Sequence, residues 1–147
     1  MIAGIPRAPL LLGLAGLIPF FWGAATYMLP ELGLWGSANL GSRFIGPYVQ
    51  LFYGAVILSF MSGVLWGFAA RIDYSLGYAL SVLPALWAFF MTGGGPTTAA
   101  INLITGFVAL LLLDNHFARL GATPTWWMRL RILLTVLVVL SYTPLVI

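Results

Sequence analysis

Five stretches of this chain are continuously apolar over lengths that suit a lipid bilayer: Ala8 to Leu29, Ile45 to Ala70, Ser75 to Thr92, Thr97 to Leu113 and Met128 to Ile147. A helix needs roughly 20 mostly apolar residues to cross about 30 Å of hydrocarbon. No Asp, Glu or His falls within these stretches, and their only arginines, Arg129 and Arg131, open the fifth. The runs lack the period-two alternation of a membrane β-barrel. The sequence therefore predicts an all-α fold, a polytopic membrane bundle of five transmembrane helices in a single domain over residues 1–147. The third and fourth stretches are short enough to resemble re-entrant segments.

Composition closes most other routes. Of 147 residues, 62% are hydrophobic and 6% charged, and the mean hydropathy is +1.06. A soluble domain carries about a quarter charged residues, so a soluble enzyme, a nucleic-acid binder and a disordered chain are excluded. The basic balance reflects arginines placed outside the apolar cores, not a face that could grip phosphates. With no Cys and one His, at position 116, the chain has no thiolate site and no multi-histidine metal or haem site. No cofactor, no metal and no catalytic residue is expected.

The arginines also orient the bundle. With five helices the termini lie on opposite sides. Arg7, Arg71, Arg119, Arg129 and Arg131 then share one side, and Arg43 stands alone on the other. Positive residues are retained on the cytoplasmic face, which predicts a cytoplasmic N-terminus and a periplasmic C-terminus. Arg7 before an apolar run with Ala24-Ala25 behind it has the look of a cleaved signal. The run is too long for a signal core and contains Pro19, so a retained helix is expected. Trp66, Tyr74, Tyr78, Trp126 and Trp127 would form the cytoplasmic aromatic belt, and Tyr27, Trp35, Tyr48 and Trp87 the outer one. Pro30 to Phe44 is the longest connection, read as a loop resting on the outer interface.

Within the spans, Ala55, Ser59, Gly63 and Gly67 recur every four residues on the second helix. Such a stripe lets another helix backbone approach closely, which drives association in lipid. Internal packing of the bundle is the plainer reading, and a docking face for another protein the sharper one. Gly77, Ser81 and Ala85 make a weaker copy on the third helix. Pro19 and Pro84 should kink their helices, and Gly93-Gly94-Gly95-Pro96 reads as a tight hairpin. Asp114 and His116 stand two apart, so their side chains diverge and do not suit a catalytic triad. Asp114 is expected to tie Arg71 or Arg131 across a partly solvated cytoplasmic rim.

These motifs together resemble a known family. Pro9-Leu10 and Gly13-Leu14-Ala15-Gly16-Leu17-Ile18-Pro19-Phe20 look like its opening helix. Tyr53-Gly54-Ala55, Ser59-Phe60, Gly63 and Trp66-Gly67-Phe68-Ala69 look like its second-helix signature. Pro84, Asp114 and Trp126 to Arg131 followed by Leu134-Thr135 match in order. The family is the domain of unknown function 3429 group of small polytopic membrane proteins, relatives of transmembrane protein 69. It often has Arg before the Trp-Gly pair, where this chain has Leu65. The resemblance implies a membrane fold and no established activity. Its occurrence in bacteria and mitochondria implies an energy-transducing inner membrane.

The reading that follows is a non-enzymatic, multi-pass protein of the bacterial cytoplasmic membrane. It would pack in the lipid bilayer against another integral membrane protein or complex, as an accessory or assembly subunit. The alternative is a carrier or binder of a small uncharged or lipidic solute, using the two proline kinks.

Overall fold

A computed structural model describes residues 2–147. It is all helical, with no strand among the described residues. Helices α1 (Arg7–Ala15), α2 (Ile18–Met28) and α3 (Pro30–Leu40) are followed by a 3-10 turn at Ser42–Phe44. Helices α4 (Tyr48–Arg71), α5 (Ser75–Met91), α6 (Pro96–Arg119) and α7 (Trp127–Val146) complete the bundle. Four segments are long and apolar enough to cross a membrane: Arg7–Met28 taken together, α4, α6 and α7. Of the five expected spans, α5 falls short. Its 17 residues rise about 25 Å at 1.5 Å per residue.

Hydrogen bonds between elements show which ends lie together. Arg129 Nη1 donates to the carbonyl of Ala3, joining the start of the chain to the start of α7. Arg71 Nη1, at the end of α4, reaches the Ala122 carbonyl between α6 and α7 at 3.4 Å. At the opposite end Thr97 Oγ1 of α6 donates to Leu145 O of α7 at 3.3 Å. Gln50 Nε2 of α4 donates to Ser141 O of α7 at 2.7 Å, and Tyr142 Oη returns a bond to Gln50 O at 2.7 Å. Interhelical bonds of this kind, with close packing, hold helices together where lipid is as apolar as the core.

The core is apolar and aromatic. Leu58 and Leu65 of α4, Leu103, Leu110 and Phe117 of α6, and Tyr142 of α7 are fully buried. Phe20 of α2 stands edge-on to Tyr53, Phe107 and Tyr142, with centroids 5.1, 6.1 and 5.8 Å away, an arrangement that aromatic quadrupoles favour. The outside is apolar as well, with Leu12, Phe60, Phe89 and Leu112 exposed.

Three sequence expectations change. The first span does not kink at Pro19; it breaks at Gly16–Leu17, and α2 begins anew with Pro19 in its first turn. A proline's missing N–H is harmless there. Residues 30–44 are not a loop. Pro30 opens an 11-residue helix with Glu31 in its first turn, where a carboxylate suits the helix dipole. Gly33 and Gly36 let this helix lie against α2, since a Cβ on Gly33 would come within 2.6 Å of the Thr26 carbonyl. The fourth span also runs on past Leu113 to Arg119, which carries Asp114 inside the helix. Pro84, by contrast, sits within a helix as expected. Just beyond it the Ala85 N–H donates to Ser62 Oγ of α4 at 2.8 Å. A neighbouring hydroxyl thus takes up a backbone group at the proline.

Candidate functional site

The buried charges come from periodicity. On α6, Leu103, Phe107, Leu110, Asp114 and Phe117 recur at spacings of four and three, and all are buried. Arg131, Thr135, Val138, Tyr142 and Leu145 of α7 do the same. Spacing of this kind places side chains on one helix face, so Asp114 and Arg131 occupy core positions. They meet there. Arg131 Nε donates to Asp114 Oδ2 at 2.8 Å, with the side chains 7% and 0% exposed. Trp127 Nε1 donates to the other carboxylate oxygen at 2.9 Å.

The expected rim is therefore corrected. The structure brings Asp114 and Arg131 together but leaves Arg71 outside, exposed, with its guanidinium on the Ala122 carbonyl. The pair is buried, not partly solvated, because α6 continues more than a turn beyond Asp114. His116 goes elsewhere, within 3.1 Å of Tyr74 Oη. Among the described residues no three His, Asp or Glu side chains cluster as metal donors.

Arg131 Nη2 and Thr135 Oγ1 are buried with no hydrogen-bond partner among the described residues. Both residues line a crevice of about 310 Å³ where the break between α1 and α2 faces α4 and α7. Gly16, Leu17, Phe20 and Tyr53 form much of its wall. Pro84 lines a second crevice, of about 320 Å³, with Trp87 and Gly106, whose surface is almost wholly apolar. The signal for the first was present in the sequence as the Arg131/Thr135 spacing, but drawing the span from Met128 treated Arg131 as a rim residue.

The small-residue stripes divide unexpectedly. Ser59, Gly63 and Gly67 are exposed, and Ala55 is half-buried. A Cβ on Gly63 or Gly67 would meet nothing within 4 Å among the described residues. Ala55 still packs on the core, while Ser59, Gly63 and Gly67 are not packed within the bundle. The buried face of α4 is the line Gly54, Leu58, Ser62, Leu65 and Ala69. The weaker copy on α5 is the one that packs. Gly77 and Ser81 are buried, and a Cβ on Gly77 would lie 2.7 Å from the Tyr74 ring and 3.0 Å from Ala69 Cβ.

The match to known proteins runs along the same residues. The family model described as "Protein of unknown function (DUF3429)" matches residues 5–147. The chain belongs to this family. Among DUF3429 relatives, Transmembrane protein 69 of Xenopus tropicalis is 36% identical over 144 residues, covering 92% of this chain and 52% of the relative. Transmembrane protein 69 of Mus musculus is 31% identical over 147 residues, covering 93% and 54%. The chain spans about half the length of these relatives. No solved structure matches it significantly. DUF3429 membership and the apolar helices identify a multi-pass membrane protein. Leu65, before the Trp66-Gly67 pair, is fully buried.

Proposed function

We propose that this protein is a non-enzymatic accessory or assembly subunit that docks a helix of a larger membrane complex against α4. The observation that supports this reading is the outward turn of Ser59, Gly63 and Gly67, which run from the middle of a 24-residue helix toward its C-terminal end. A glycine in a helix interior costs about 1 kcal/mol relative to alanine, and here neither glycine is filled by the bundle. Such a track suits the close approach of a second helix backbone, the main source of association in lipid. Phe60 and Trp66 are exposed beside it and would flank the incoming helix. The occupant is taken to be a helix of a different protein. The separate engagement of Asp114 by Arg131 and Trp127, and of His116 by Tyr74, favours a non-enzymatic role.

A photoreactive side chain at Gly63, irradiated in native membranes, should give one adduct of defined mass containing another membrane protein. The same group at Phe89, exposed on α5, serves as the lipid-facing control. A dimer adduct at Gly63 would point to a second copy, and lipid adducts alone would overturn the docking face.

The proposal includes a bacterial cytoplasmic membrane, α5 as a fifth and shortest span, and the arginine-rich end in the cytoplasm. A reporter fused after Ile147 should then behave as periplasmic, and one inserted between α6 and α7 as cytoplasmic. Exchanged results would overturn the fifth span or the orientation, and results on one side would show that α7 does not cross. A second reading, a binder of a small uncharged or lipidic solute, is favoured by the crevice beside Arg131.

A further inference from the structure

We propose that the crevice beside Arg131 takes the head of an uncharged, carbonyl-bearing lipid, whose tail leaves along the outer face of the bundle. This rests on the second reading above and names the chemistry of its solute. Ser59, Thr92 and Thr105 each donate to the carbonyl four residues back, at 2.8, 2.7 and 2.9 Å, the usual habit of a hydroxyl in a membrane helix. Thr135 does not, and its buried Oγ1 has no partner among the described residues. One turn before it on the same face, Arg131 Nη2 is in the same state. Buried polar groups are nearly always satisfied, and an ionisable side chain inside a membrane segment marks a functional site by default.

The leftover groups define the ligand. A guanidinium nitrogen can only donate, and a hydroxyl can donate as well, so the head must offer oxygen lone pairs. It must also be uncharged. Asp114 already matches Arg131 at 2.8 Å, and its second oxygen is held by Trp127. An anion would set a second negative charge beside a neutralised pair in a low-dielectric interior, and a cation would lie against the Arg131 guanidinium, with the Thr135 hydroxyl its one acceptor at these two groups. About 310 Å³ lies at the small end of ligand sites, enough for a head and the first part of a tail. The tail has an exit, because Leu12 and Phe60 of the lining are 74% and 65% exposed. A quinone ring and an acylglycerol ester share this chemistry.

The test is equilibrium binding to the purified full chain in detergent micelles. The probes are tritiated decylubiquinone and tritiated dioleoylglycerol, with tritiated oleate as the anionic probe. One of the two neutral probes should saturate at one per chain, which identifies the source, and oleate should bind at least about tenfold more weakly. Thr135→Val keeps the shape and removes the hydroxyl. It should weaken the neutral probe about tenfold, the worth of one hydrogen bond. Without ligand it should melt no lower than the parent, because no bond is lost. Gly16→Leu, at a position with ordinary helical φ facing Tyr53 Oη, should fill the crevice and abolish binding. Oleate binding as tightly as the neutral probes, or Thr135→Val melting lower with binding unchanged, would overturn the head assignment while leaving a lipidic binder standing. Full binding to Gly16→Leu would overturn the location. A folded protein that saturates with none of the three probes would overturn the proposal and the reading beneath it.

Discussion

Helices α4 and α5 carry the same device and use it differently. Each repeats small residues every four positions, and the two helices pack against each other. On α5 the small line faces inward: Gly77 lies against Ala69 of α4, Ser81 is fully buried, and the Ala85 N–H reaches Ser62. On α4 the line from Ser59 through Gly63 to Gly67 turns away, and the buried face is the neighbouring one through Leu58, Ser62 and Leu65. Small-residue spacing therefore marks where a backbone is able to approach. Which stripe is covered within the chain depends on the register of the α4–α5 hairpin, and that is a tertiary property.

The difference between inward and outward faces is open to measurement. The largest effect should follow Arg131→Met, which leaves Asp114 buried without its charge partner. Removing one member of a buried pair costs about 3–5 kcal/mol, so the purified protein should melt far below the parent. A mild loss would show that water reaches the pair. Next, Gly77→Leu drives a side chain into Tyr74 and Ala69. Overpacking typically costs about 1–3 kcal/mol, and the loss should appear in the isolated protein. Smaller still, Ser62→Ala leaves the Ala85 N–H beside Pro84 without its acceptor, for about 1 kcal/mol. A neutral result there would mean that the proline distortion is accommodated within α5 alone.

Much of this architecture was legible in the sequence because apolar runs must be long in lipid and arginines gather at one end. Four of the five runs correspond to helices of spanning length, and Pro84 stands inside its helix. The misses share a cause. Spans drawn to stop at a charge left Asp114 outside α6 and treated Arg131 as a rim group, although both keep the period of their buried neighbours. Residues 30–44 read as a loop because Gly, Ser and Asn are poor helix formers. The approach of α2 through Gly33 and Gly36 overrides that preference. The crevice was half legible. Pro19 pointed to the break, but the two unpartnered groups depend on which neighbours the fold brings near Arg131 and Thr135.

The central claim is that the α4 stripe faces out to receive another helix, and Gly63→Leu tests it most directly. Nothing lies within 4 Å of a Cβ at that position among the described residues, so the added side chain meets no part of the bundle. The variant should melt within about 0.5 kcal/mol of the parent, as surface substitutions do, while recovery of the bound membrane protein from native membranes falls sharply. Gly77→Leu, measured alongside, should lose stability in the purified protein. A Gly63→Leu protein that melts as low as Gly77→Leu, or one that keeps its partner in full, would contradict the account.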